Sequence, residues 1–195
     1  MFEPDPHARA DLKPGTTYAV AGENGWLYYG QVAPGKHLAF FRYRGKQLEP
    51  PGVALAHPLM SAVMVAYPSI TRALRAGRWK KLGRLPFAPT STSPLIVQWP
   101  VGTLTVTVWS SSGDEQLYDT RVDDPAIQDA ELMAVWDAQQ HIPKRLTADF
   151  GVEEAEWDVG GPIRRERRIR EELARRFPDQ PWHQLPDDWV PTNVA

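Results

Sequence analysis

Carboxylates crowd one stretch of this chain: Asp123, Asp124, Asp129, Glu131, Asp137, Glu153, Glu154 and Glu156 all fall between positions 123 and 156. Two carboxylates perform acid–base work when one of them is desolvated enough to hold its proton near neutral pH. A run such as "GVEEAEWD" (151–158) is more often wet surface than a buried pair, so a hydrolase built on paired acids has little specific support. The same residues suit another task. A cluster of acids forms a docking face for a basic protein, where long-range potential speeds and selects encounter. These eight side chains are therefore the candidate partner-contacting residues.

Other chemistries find less material. Five histidines (His7, His37, His57, His141, His183) are scattered, with no pair at zinc-ligand spacing on one element. The chain has no cysteine, which removes disulfides, thiolate metal sites and cysteine nucleophiles together. The serine-rich patches "TSTS" (90–93) and "SSSG" (110–113) lack the strand-to-helix turn of a nucleophile elbow. No phosphate-binding glycine loop of the Walker or dinucleotide type is present. The expectation is a protein with no catalytic residue, no metal and no cofactor. A basic segment (Arg72, Arg75, Arg78, Lys80, Lys81, Arg84) surrounds Trp79 and offers a nucleic-acid alternative, phosphates on the cations and a base on the indole. Short basic stretches are common solvated surface, so Trp79 is expected in the core and nucleic acid is not the favoured partner.

Charge is distributed unevenly along the chain. Residues 1–89 carry 12 Lys/Arg against 5 Asp/Glu, a net +7; residues 90–162 carry 3 against 13, a net −10; residues 163–195 carry 7 against 6, a net +1. The total is −2 over 195 residues, and the blander expectation is that the basic and acidic halves pair within the folded body. Hydrophobic content of 42% with eight tryptophans is enough for a packed core. The start shows no basic-then-apolar leader, and the apolar stretch near 59–67 is too short to span a bilayer, so a soluble cytoplasmic protein with no membrane partner is expected.

These side chains need elements to position them. Tyr18 and Val20, then Trp26, Tyr28 and Val32, then Leu38 and Phe40 alternate in period two and predict three antiparallel strands. Gly22-Glu23-Asn24-Gly25 and Pro34-Gly35 are their turns, with Asn24-Gly25 the pair at positive φ. A fourth strand is expected at 62–67, then a short helix capped by Ser69 and closed by Gly77. "LIVQW" (95–99) and "TLTVTVW" (103–109) read as a hairpin with a threonine face, and "LYDTRV" (117–122) as another strand. Asp124-Pro125 suits a helix start, predicting a helix over 125–141 with Ile127, Leu132, Val135 and Trp136 inward. Residues 163–177 predict an arginine-rich helix with Ile169, Leu173 and Phe177 as a narrow apolar stripe. Four prolines then forbid helix in the tail, and Trp182, Leu185 and Trp189 are expected to anchor it in extended form.

The glycines and aromatics of the first half carry a resemblance. "LKPGTTYAVAGENGWLYYGQVAPGKHLAFFRYRG", then "SAVMVAY", then "LRAGRWKKLGRLPF" resembles the bacterial immunity protein 26 family of polymorphic toxin systems. The matching features are Gly15 and Tyr18, "YGQV" at 29–32, Phe40 and Phe41, and the Gly77–Pro86 segment, together covering roughly residues 12–90. The resemblance implies a small cytoplasmic protein that binds and neutralises a cognate toxin protein made by its own cell line, and it brings no catalytic residue. The combined expectation is an α+β fold: a twisted antiparallel sheet or partly open small barrel with two to three flanking helices. It places a single domain over 1–162, with the helix and tail of 163–195 packed on it, and leaves the oligomeric state open.

Overall fold

Aromatic and β-branched residues in strict alternation fit a pleated surface better than a helix, and the first third of the chain is written that way. A computed structural model describes residues 1–87, 95–151 and 154–192. The "TSTS" stretch and Glu153 lie outside them. In chain order the elements of the first half are β1 (Thr16–Ala21), β2 (Leu27–Val32), β3 (Leu38–Gly45), α1 (Pro51–Leu55), β4 (Leu59–Val65), α2 (Tyr67–Arg75) and β5 (Trp79–Arg84). There follow β6 (Ile96–Gln98), β7 (Thr105–Trp109), β8 (Gln116–Arg121), β9 (Glu131–Leu132), β10 (Val135–Trp136), α3 (Ile142–Phe150) and α4 (Ile163–Arg176). The protein is α+β, with two sheets among the described residues. Within them, no helix is long and apolar enough to cross a membrane.

Contacts divide the chain into two units, Met1–Ser93 with Ala134–Glu156 and Pro94–Met133 with Trp157–Ala195. The first unit holds a six-stranded sheet in the order β10-β4-β3-β2-β1-β5, curled into a half-barrel. Its pairings are antiparallel except that β10 joins β4 in parallel. Register puts Val20 opposite Tyr28 and Tyr18 opposite Gly30, so these side chains share one face with Phe40 and Trp79 as the main core. Gly30 is required by close approach: a Cβ there would sit 2.6 Å from Cε1 of the Phe40 ring. Trp79 is 1% exposed and donates its indole N–H to the Ala138 carbonyl at 3.0 Å. Tyr18 bridges the backbone of Asp11 as donor and acceptor, and burial pushes its phenol pKa up to about 12. On the opposite face Ala19 and Tyr29 form a smaller cluster with Ala54 of α1.

The first two turns match the expectation, Asn24 at φ 54° and Gly25 at φ 71° included. Two helix starts differ from it. Ser69 lies inside α2, whose cap position is Ala66, because Pro68 fits the first helical turn and does not exclude helix there. Buried Ser69 instead donates to the Ala66 carbonyl and accepts the Ala138 N–H at 2.8 Å. The helix expected over 125–141 is replaced by one 3-10 turn (Pro125–Ile127) followed by β9 and β10. Val135 and Trp136 pair with Met64 and Val65, while Glu131 and Leu132 pair with Ile96 and Val97. Long-range strand pairing overrides the local helical periodicity.

The second unit is a four-stranded sheet in the order β8-β7-β6-β9 with its own core of Val97, Trp99, Val106, Val108, Val122, Ile127, Ala130 and Ile163. α4 contributes Ile163 and, unexpectedly, Arg167 as its buried residues, whereas Phe177, expected on the apolar stripe, is 41% exposed. Arg167 is tolerated because its guanidinium donates to Gln128 Oε1 at 2.8 Å and to the Val190 carbonyl at 2.6 Å.

Candidate protein-binding surface

Seven of the eight candidate acids are described, and they fall in both units, each with a local task. In the second unit Asp123 accepts from Arg121 Nε at 3.0 Å. Asp124 accepts the Ala126 N–H at 2.9 Å and the Thr120 hydroxyl at 2.8 Å, which hold its carboxyl below the usual range. Asp129 pairs with Arg164 at 3.0 Å. Glu131 is buried within β9. In the first unit Asp137 accepts the N–H groups of Gln139 and Gln140 and pairs with Arg72 at 2.9 Å. Glu154 receives both arms of Arg44, at 2.7 and 2.8 Å, and that guanidinium lies 4.2 Å from the Trp26 ring and 4.0 Å from Phe150. Glu156 pairs with Lys144. The acids are thus spread through local pairs, without one continuous unpaired face among the described residues.

The basic segment is likewise partly committed. Arg72 serves Asp137, Arg84 lies 3.5 Å from Asp11, and Arg75 donates to the Ala8 carbonyl. Lys80 and Lys81 are exposed on the edge strand β5, but buried Trp79 is not available to stack on a base.

A different surface emerges on the second unit. The tail after α4 is tied down by Glu171, whose Oε1 accepts the Trp189 indole N–H at 2.9 Å, the Thr192 N–H at 2.6 Å and the Thr192 hydroxyl at 2.9 Å. The Trp189 ring stacks on Trp99 at 6.0 Å and 16°. Between these fixed points Pro181 opens a 3-10 turn that leaves Trp182 74% exposed. Of the three side chains that the sequence offers as anchors, Leu185 and Trp189 are half-buried and Trp182 is not, because the turn at Pro181–His183 projects its indole outward. His183 touches both Trp182 (6.1 Å) and Phe177 (5.6 Å), completing an aromatic cluster with two rings in solvent.

Beside this cluster lies a cavity of about 360 Å³, lined by Arg170, Leu173, Trp182, His183, Leu185 and Trp189 among others. The Arg170 guanidinium sits 3.4 Å from the centroid of the Trp99 ring. Burial draws its pKa below arginine's ordinary value, against the pull of Glu166. Tail tryptophans were visible in the sequence, but their direction was not, since proline spacing alone does not orient a turn. Among the described residues, no group of three or more His, Asp or Glu side chains is placed to hold a metal ion.

Compared with family models, with curated proteins and with solved structures, the chain matches none of them.

Proposed function

We propose that this chain is a stoichiometric inhibitor that acts in the cytoplasm by binding a cognate toxin protein. The observation that carries the reading is Trp182, 74% exposed within an aromatic cluster on a unit of net negative charge. The second unit holds 8 Lys/Arg against 14 Asp/Glu, a net −6, and the first holds 14 against 10, a net +4. A solvent-facing tryptophan leaves a large apolar area uncovered and is among the residue types that dominate binding energy when a partner covers it. Acidic surroundings favour a basic partner and set the encounter rate, while the aromatic anchors set the lifetime of the complex. The resemblance of residues 12–90 to the immunity protein 26 family points the same way. It concerns scaffold glycines and core aromatics; the proposed contact surface lies on the other unit.

Co-expression with the toxin encoded beside its gene tests the proposal. A 1:1 complex and protection of the host cell are expected, with association slowed by added salt. Trp182→Ala is expected to weaken the complex by about 2 kcal/mol or more, roughly thirtyfold in Kd. Absence of both complex and protection overturns the inhibitor reading; an unchanged Kd in Trp182→Ala overturns the assigned surface.

A further inference from the structure

Arg170 is half-buried, whereas Arg168, the other arginine of α4 with no hydrogen bond or ion pair among the described residues, is exposed. Arg164 pairs with Asp129, Arg167 donates to Gln128 and Val190, and Arg175 and Arg176 share Glu172. Arg170 makes no hydrogen bond or ion pair among the described residues, although three glutamates stand within a turn of it on the same helix. Glu171 holds the tail, Glu172 serves Arg175 and Arg176, and Glu166, which accepts the Gly161 N–H, acts on Arg170 through its field without a hydrogen bond. A guanidinium carries five N–H donors, and those of half-buried Arg170 are left for solvent or a ligand. The Arg170 guanidinium carbon lies 3.4 Å from the centroid of the Trp99 ring, a cation–π contact that holds the group in place without using its N–H donors.

The cavity that Arg170 lines is apolar at Leu173, Leu185, Trp182 and Trp189 and polar at Thr103, His183 and Gln184, and its volume of about 360 Å³ is that of a small-molecule site. One guanidinium held beside an apolar wall recognises one negative charge on a partly apolar body. A doubly charged phosphate would meet a single guanidinium within a unit already at −6, whereas a carboxylate is balanced by it and matches the fork geometry. We infer that this cavity is a binding site for an organic carboxylate, with Arg170 holding the carboxylate and the surrounding indoles and leucines holding its apolar part. The carboxylate belongs either to a free small molecule or to the C-terminal end of a peptide. The site goes beyond the proposed inhibition and does not depend on it.

The test uses the full chain and follows its indole N–H resonances by NMR. N-acetylphenylalanine and a short peptide ending in a free phenylalanine carboxylate are titrated beside their C-terminal amides. Saturable shifts of the Trp99 and Trp189 signals are expected, with an acid binding about tenfold or more tighter than its amide. Binding of the small acid assigns the source to free carboxylates; binding of the peptide acid alone assigns it to chain ends; either supports the site. Arg170→Met is expected to abolish the preference for acid over amide. Trp182→Ala, at an exposed ring, is expected to weaken acid and amide alike and leave the preference intact. Should Arg170→Met lose its dispersed indole spectrum, Arg170→Lys carries the test, with the preference reduced at least about threefold because the fork is lost. Equal binding of acid and amide, no shift up to about 10 mM acid, or a preference unchanged by the Arg170 substitutions overturns the inference. Carboxylate binding without any toxin complex retains this site and removes only the inhibitor reading.

Discussion

His37 follows the turn between β2 and β3, buried, with its Nε2 lacking a hydrogen-bond partner among the described residues. Burial lowers its pKa from the ordinary 6.5, because the charged ring would lose its water. Above pH 6.5 neither the folded nor the unfolded chain holds the extra proton, and the contribution to stability is complete. Below it the unfolded chain binds a proton that the folded chain refuses, so stability falls as pH drops toward the folded value. The slope from this residue is at most about 1.4 kcal/mol per pH unit. Asp11, Asp124, Asp137 and Glu154, all held below ordinary carboxylate values, titrate beneath that window. Urea melts between pH 7 and pH 5 are therefore expected to show a loss in the native protein that His37→Leu flattens; equal slopes would remove His37 as the cause. Residue types told much at this scale. Asn24-Gly25 announced its positive φ, and Trp79 its place in the core, because both follow from local chemistry and side-chain size. That His37 Nε2 finds no hydrogen-bond partner among the described residues is not readable in the sequence, since it depends on what other strands bring near it.

At the scale of elements, Asp137 shows how a candidate docking acid becomes a structural one. Its carboxylate sits ahead of α3 and accepts the N–H groups of Gln139 and Gln140, while Arg72 on α2 adds an ion pair. Burial raises its pKa, and those bonds together outweigh burial and leave it lowered. Asp137→Ala is expected to cost about 1 kcal/mol, within the range of a lost cap, and to speed amide exchange at Gln139 and Gln140; unchanged exchange there would contradict the role. The same segment marks where the sequence misleads. Ile127, Leu132, Val135 and Trp136 are spaced for a helix face, and Asp124 does cap a turn, yet only Pro125–Ile127 winds. Strand partners at Ile96–Val97 and Met64–Val65, distant along the chain, decide the outcome. The first-half hairpins were legible because each strand pairs with its chain neighbour; β9 and β10 were not, because both join their sheets in parallel to distant strands. Their pairing reward lies outside any local window.

At the scale of the molecule, the chain forms two units from interleaved segments, so the charge blocks along the sequence, +7, −10 and +1, become +4 and −6 once the folded segments are grouped. No window of residues shows this, since it requires knowing that 134–156 belongs with the first strands. The candidate site was illegible for a related reason: Arg170, Trp99, Trp182 and Trp189 come from a helix, a strand end and a tail that only the fold assembles. Each unit has a core that shares no residue with the other's, Tyr18, Phe40 and Trp79 in one and Val106, Val108 and Ile127 in the second. Cooperative opening follows shared buried contacts, so separate cores predict separate opening. Ile127→Ala, at a fully buried position, removes apolar volume from the second core alone and is expected to destabilise it by about 2–5 kcal/mol. Native-state hydrogen exchange reads the consequence directly. Amides of β6, β7, β8 and α4 should lose protection together, while those of β1, β2 and β3 keep theirs. Equal loss in both sets would mean that the two cores open as one body, and that substitutions at Arg170 or Trp182 reach the first unit as well as the second.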